Sequence, residues 1–138
     1  MDNLQRAIVS LLIDGDDLVP AEVTKTLRSS PQLGVVKGQA YLVTDGRTIE
    51  AKTGMWQFRG DWESSPHLDR QIGDILSALT SDISAWKEIT TRFHCHISIA
   101  GYFHDWTGGM KLSPDTLKLL ADRSLPIDFD LYAPAISY

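Results

Sequence analysis

Within residues 93–100, the side chains alternate strictly between apolar and polar from Phe93 to Ile99. The apolar set is Phe93, Cys95, Ile97 and Ile99, and the polar set is His94, His96 and Ser98. Because successive side chains of a β-strand point to opposite faces of a sheet, this pattern predicts a strand with one buried and one polar face. We therefore expect a sheet that other elements cover on one side and leave open on the other.

Apolar or alternating runs predict four more strands, at residues 6–13, 39–44, 52–59 and 127–132. Serine at the N-cap and proline at the first helical position are typical of helix starts. We therefore expect helices to begin at Pro20, at Ser65-Pro66 and at Ser113-Pro114. The spacing of Leu68, Ile72, Ile75, Leu76 and Leu79 indicates one buried helix face. The polar residues 80–82 leave open whether this segment forms one helix or two.

The resulting element order, βαββααβαβ, predicts an α+β fold with a ferredoxin-like, antiparallel five-stranded sheet and its helices on one face. With the strands numbered along the sequence, we expect the order 5-1-4-2-3. This order places the strand at 6–13 between the strands at 93–100 and 127–132. Asp45-Gly46 predicts a hairpin that joins residues 39–44 to residues 52–59.

The length of 138 residues predicts a single domain over residues 1–138. The formal net charge of −5 argues against binding to nucleic acid or to anionic membranes and favours a partner with a basic surface. No early apolar run approaches the roughly 20 residues of a membrane span. Cys95 is the single cysteine, so no disulfide can form within the chain, and we expect a cytoplasmic protein.

Several stretches together carry a family resemblance along nearly the whole chain. They are residues 13–18 (Ile-Asp-Gly-Asp-Asp-Leu) with Pro20, Lys37-Gly38, residues 52–56 (Lys-Thr-Gly-Met-Trp), the Leu/Ile helix from Leu68, residues 108–114 (Gly-Gly-Met-Lys-Leu-Ser-Pro) and residues 127–132 (Ile-Asp-Phe-Asp-Leu-Tyr). In these stretches the chain resembles the bacterial domain of unknown function 4279 family. The family has no established activity, so the resemblance supports the fold and implies no catalytic residue.

Two rows of polar side chains are candidates for binding. His94 and His96 lie on one face of their strand, and Asp128 and Asp130 lie on one face of the last strand. Imidazole and carboxylate are ordinary metal ligands and acid–base groups. In the expected strand order the rows are about 10 Å apart, so we predict no metal site and no cofactor. If the two rows lay on neighbouring strands, metal binding or acid–base chemistry would be favoured.

Loops supply the remaining candidates. Trp62 and Trp106 lie in polar segments that contain glycine, and exposed tryptophan is enriched at binding surfaces. The alternative is that both rings cover the edges of the core. His104 precedes Gly108-Gly109 in a loop, where functional residues often lie. Cys95 shares the apolar side of its strand and is expected to be buried.

These features favour a non-enzymatic domain that binds a basic protein, for example an immunity protein for a basic toxin. The alternatives are a small-ligand or metal-binding sensor, and an enzyme that uses His94, His96 or His104. The open sheet face carries Ile8 and Leu12, and it would also suit a homodimer. No motif assigns a catalytic residue.

Overall fold

The computed structural model describes residues 4–134. This part of the chain forms eight strands and four helices. The strands are β1 (Leu4–Gly15), β2 (Leu33–Val35), β3 (Ala40–Leu42), β4 (Thr48–Glu50), β5 (Gly54–Arg59), β6 (Glu63–Ser64), β7 (His94–Phe103) and β8 (Ile127–Tyr132). The helices are α1 (Pro20–Leu27), α2 (Leu68–Ser77), α3 (Ile83–Arg92) and α4 (Pro114–Asp122).

The main sheet has the strand order β2-β5-β1-β7-β8, and the short β6 also pairs with β1. Its strand pairs are antiparallel except β7 and β8, which run parallel and are connected through α4. The predicted α+β class is confirmed. The predicted five-stranded antiparallel sheet is wrong, because within residues 4–134 the sheet has six strands and mixed directions. This topology does not confirm the ferredoxin-like arrangement.

The predicted order of the strands is also wrong. The last strand, β8, pairs with β7 and is not a neighbour of β1. A strand, a helix and a second strand tend to form a parallel pair of neighbouring strands, because the helix carries the chain back across the sheet. β7, α4 and β8 form such a unit.

The hairpin at Asp45-Gly46 is present, but its partner strand was wrongly predicted. β3 pairs with β4 in a separate two-stranded sheet, with Tyr41 opposite Ile49. β5 instead pairs with β1 and β2 in the main sheet. The chain therefore returns directly after the turn, in β4.

The core lies between one face of the main sheet and the helices. Ala7, Val9, Leu11 and Ile13 of β1 are at most 1% exposed. Cys95, Ile97 and Ile99 of β7 belong to the same cluster, as the alternation in this strand predicts. All four helices of the described chain add buried side chains to it: Val23, Leu27, Leu68, Ile72, Ile75, Leu76, Trp86, Ile89 and Leu120.

The helix boundaries confirm most of the start signals. Pro20 begins α1, and Ser113 caps α4 by accepting a hydrogen bond from the Thr116 amide. The expected start at Ser65-Pro66 is wrong, because α2 begins at Leu68 with His67 as its N-cap. Residues 80–82 separate α2 from α3, so the segment that follows Leu68 forms two helices. None of the helices in the described chain is long and apolar enough to cross a membrane.

Candidate functional site

The second face of the main sheet is formed by the side chains that alternate with the core residues, and we call it the open face. It is defined by Arg6, Ile8, Ser10, Leu12 and Asp14 of β1, Met55, Gln57 and Arg59 of β5, His94, His96, Ser98, Ala100 and Tyr102 of β7, and Asp128, Asp130 and Tyr132 of β8. The core cluster of the described chain, with its helical members, contains none of these residues.

The histidine and aspartate rows are neighbours on the open face. In the parallel register of β7 and β8, Ser98 lies opposite Asp128 and Ala100 lies opposite Asp130. Nε2 of His96 is 3.4 Å from Oδ2 of Asp128. The expected separation of about 10 Å is therefore wrong, because no strand lies between β7 and β8.

His94 has a different acidic partner. Its Nδ1 lies 3.1 Å from Oδ1 of Asp14, the residue opposite it on β1. The rings of His94 and His96 are 5.2 Å apart between centroids. The two imidazoles are thus close to each other, and each is paired with its own carboxylate.

The described residues of this arrangement do not form a metal cluster. The described residues contain no group of three or more His, Cys, Asp or Glu that could hold a metal ion. Nδ1 of His96 is buried and has no hydrogen-bond partner within the described chain. The side-chain partners described for the two imidazoles are the carboxylates of Asp14 and Asp128.

A cluster of three aromatic rings and one arginine lies at the other end of the open face, and we call it the aromatic cluster: Arg6, Trp62, Tyr102 and Tyr132. The Arg6 guanidinium is 4.9 Å from the Trp62 ring centroid and 4.7 Å from that of Tyr102. Tyr102 stacks on Tyr132 with centroids 5.2 Å apart. Trp62 and Tyr132 are each 47% exposed. The cluster is held together by stacking and cation–π contacts while its rings remain accessible.

One acidic residue of the open face, Asp130, contacts this cluster. The Tyr132 hydroxyl donates a hydrogen bond of 3.0 Å to Oδ2 of Asp130. This hydrogen bond to a carboxylate raises the pKa of Tyr132 above its ordinary value of 10.0. Asp128 and Asp130 lie on β8, whereas the two arginines of the face lie on β1 and β5. Two aspartates of the face therefore lie together on β8, whereas β1 carries both Arg6 and Asp14.

Five of the seven residues predicted for binding lie on or against the open face: Trp62, His94, His96, Asp128 and Asp130. His104 and Trp106 are exposed in the segment after β7, with Trp106 65% exposed. No hydrogen bond or ring contact of the described residues joins these two to the open face. Five of the residues predicted for binding therefore belong to one surface, and the other two, His104 and Trp106, lie outside it.

Cys95 is buried, as predicted. It is 6% exposed on the core side of β7, and burial raises its pKa to about 12. Within the described chain its sulfur has only backbone carbonyls, those of Ile89 and Phe93, as hydrogen-bond partners. Cys95 is a core residue and does not contribute to the site.

Sequence reasoning missed Arg6, Asp14, Tyr102 and Tyr132. The signal for Tyr102 was present, because the alternation that places His94 and His96 on one face continues through Ala100 to Tyr102. Arg6 has the same parity as Asp14 on β1, and Tyr132 has the parity of Asp128 and Asp130 on β8. Extending each alternation to the end of its strand would have found all four.

Comparison with curated proteins gave no match. Comparison with solved structures gave none either. A family model described as Domain of unknown function (DUF4279) matches residues 5–134, which include every residue of the open face and of the aromatic cluster. The match covers most of the 138 residues, and the chain belongs to the DUF4279 family.

Proposed function

We propose that this domain is a non-enzymatic protein-binding module whose open face binds a partner protein with a basic surface. An immunity protein that binds a basic toxin is the form of this function that we favour. The observation that carries the proposal is the aromatic cluster, whose accessible rings lie next to Asp130 on a sheet face that no helix of the described chain covers.

The composition of the cluster is the first support. Tryptophan, tyrosine and arginine are the residues that contribute most often to binding energy at protein interfaces. The stacked contacts of Arg6 with Trp62 and Tyr102 restrict these side chains before binding. A restricted side chain loses less conformational entropy in a complex, so a larger share of the contact energy appears as affinity.

The distribution of charge supports a basic partner. Asp14 lies beside His94, Asp128 beside His96 and Asp130 beside Tyr132, and the whole chain has a formal net charge of −5. An acidic surface attracts a basic protein over distances of about a Debye length, roughly 10 Å at 0.1 M salt. The single buried thiol fits a reducing compartment, and we therefore place this function in the cytoplasm.

The test is affinity capture with the full chain as bait, at low salt, from a lysate of the source organism. The variant Asp128→Asn/Asp130→Asn removes two charges from the open face. Its matched control, Asp17→Asn/Asp115→Asn, removes two charges from exposed positions outside the open face. The captured protein is identified by mass spectrometry, purified and titrated against all three baits.

The expected result is a captured protein of basic isoelectric point whose affinity falls at least about tenfold for Asp128→Asn/Asp130→Asn and stays within about threefold for the control. An equal loss for both variants would contradict binding at the open face. Failure to capture any basic protein would contradict the proposed function itself. A second copy of this chain, the homodimer predicted through Ile8 and Leu12, would be recognised by light scattering as twice the monomer mass.

One observation supports a second candidate, acid–base or metal chemistry at the histidines. His94 and His96 each lie close to a carboxylate, and the two rings are neighbours. The test is a titration with Zn²⁺ followed by thermal unfolding, for the wild type and for His96→Ala. Stabilisation that His96→Ala abolishes would support this candidate, and absence of any stabilisation would reject its metal-binding form.

A further inference from the structure

Arg123 is a buried cation without an acidic partner. It is 9% exposed at the C-terminal end of α4. One of its nitrogens, Nη1, donates to the Leu119 carbonyl at 3.0 Å, and Nε is buried without a hydrogen-bond partner in the described chain. No carboxylate of residues 4–134 lies within ion-pair distance of the guanidinium. Arginine is almost never buried unless it is paired, so the environment of Arg123 requires an explanation.

The Arg123 side chain lines a cleft of about 280 Å³ between α2, the connection from α2 to α3, and α4. Ser77 and Ser81 supply hydroxyl groups to the lining, Leu76 and Leu79 supply apolar surface, and Gly73 leaves space. No aspartate or glutamate is among the lining residues. The cleft lies among the helices, on the opposite side of the sheet from the open face.

The chemistry of these groups selects an anion. Arg123 has five N–H donors in a planar fork, and the described contacts use one of them. The Ser77 hydroxyl donates to the Asp74 carbonyl at 3.2 Å, whereas the Ser81 hydroxyl has no hydrogen bond within the described chain. A guanidinium fork matches the two oxygens of a carboxylate, and a neighbouring hydroxyl can donate a further hydrogen bond.

We propose that this cleft binds a small aliphatic carboxylate. The Arg123 guanidinium and the Ser81 hydroxyl donate to the carboxylate oxygens, and Leu76 and Leu79 contact the hydrocarbon part. The apolar lining favours a carboxylate with a short chain over inorganic phosphate, which exposes only polar oxygens. This binding site is independent of the partner surface on the open face.

The test uses the full chain and butyrate as the probe, measured by isothermal titration calorimetry and by thermal unfolding at neutral pH. Inorganic phosphate and butylamine are the comparison probes. Arg123→Gln removes the charge. Gly73→Leu adds a side chain to the cleft from α2, where an added Cβ meets no atom within 4 Å outside the neighbouring backbone of the helix. Arg47→Gln, an exposed arginine paired with Asp45 in the β3–β4 hairpin, is the matched charge control.

We expect butyrate to bind and to raise the midpoint of thermal unfolding, with binding at least about tenfold weaker in Arg123→Gln and in Gly73→Leu and unchanged in Arg47→Gln. If Arg123→Gln does not fold, the binding of butyrate to Gly73→Leu alone tests the proposal. No response to butyrate in the wild type, or an equal response in Gly73→Leu, would overturn the proposal. Binding of phosphate without binding of butyrate would overturn the assignment to a carboxylate, and equal binding of butylamine would overturn the selection of an anion.

Discussion

Nε2 of His96 lies 3.4 Å from Oδ2 of Asp128, so that a side chain of β7 meets a side chain of β8 across the parallel strand pair. The two partners differ in exposure. The imidazole is 14% exposed, whereas the Asp128 side chain is 67% exposed. Water therefore solvates the carboxylate in the free protein, and a polar contact with one exposed partner adds little to folding stability.

The first prediction concerns this pair. Asp128→Asn is expected to change the free energy of unfolding by less than about 1 kcal/mol, measured by urea denaturation. Asp122→Asn breaks the exposed pair between Lys118 and Asp122 in α4 and is the matched control, with an effect of the same size. A loss above about 2 kcal/mol for Asp128→Asn alone would assign this carboxylate to folding and remove an argument for its role in binding.

The second prediction concerns the aromatic cluster. Arg6→Ala removes the cation between Trp62 and Tyr102 and is expected to cost about 0.5–1 kcal/mol of stability. It is also expected to increase the quenching of Trp62 fluorescence by acrylamide, because the guanidinium covers part of the indole. Trp56 and Trp86 are fully buried, so a Trp106→Phe background leaves Trp62 as the accessible tryptophan.

Arg59→Ala is the control for this experiment. Arg59 is the second arginine of the open face, and within the described chain its guanidinium contacts Gln57 and no aromatic ring. Quenching in Arg59→Ala should equal that of the background protein. Unchanged quenching in Arg6→Ala would mean that Arg6 does not cover Trp62 in solution.

Local features of this fold could be predicted from the sequence because they depend on neighbours along the chain. The alternation in β7 places Cys95 and Ile97 in the core and His94 and His96 on the open face, as the structure confirms. The start of α4 at Ser113-Pro114 depends on one side-chain cap and one fixed backbone angle.

The order of the strands depends on contacts between distant residues, and here the sequence pattern was insufficient. The alternation within β8 does not distinguish a position beside β7 from a position beside β1, because either position lets the same face of the strand point to the core. The predicted strand order placed β1 between His96 and Asp128, and the contact between these two side chains was therefore not predicted. The aromatic cluster was missed for a related reason, since Arg6, Trp62 and Tyr132 come from three segments that only the folded sheet brings together.

The third prediction concerns Asp69, which connects α2 to the start of α4. Its Oδ1 accepts hydrogen bonds from the Ser113 amide at 3.0 Å and from the Thr116 hydroxyl at 2.7 Å. The Ser113 hydrogen bond, followed by that of Thr116, lowers the pKa of Asp69 below 3.8. Because the folded-state pKa is depressed, this carboxylate stabilises the fold above the unfolded pKa and loses its contribution as pH falls through the folded pKa.

Asp69→Ala is therefore expected to cost about 1.5–3 kcal/mol at neutral pH, measured by urea denaturation. The difference from wild type should shrink as the pH falls below 3.8, where the wild-type carboxylate becomes protonated in the unfolded chain first. Asp105→Ala, in the exposed segment after β7, is the control and should have little effect at any pH. A difference that stays constant down to acidic pH would show that charge on Asp69 is not the cause.

The last prediction concerns Cys95, whose thiol is buried and whose pKa burial raises from 9.0 to about 12. The thiol should not react with Ellman's reagent in the native protein at pH 8, and one thiol per chain should react in urea. Because the folded-state pKa is raised, the neutral thiol contributes its full stability below the unfolded pKa and loses it as pH rises through the folded pKa. Between pH 9.0 and about 12 the wild type should therefore lose stability relative to Cys95→Ala.

For the reaction with Ellman's reagent, Ser30→Cys in the Cys95→Ala background provides an exposed thiol as the positive control. Rapid reaction of native Cys95 would contradict its position in the core, because only an opened strand β7 would expose the sulfur.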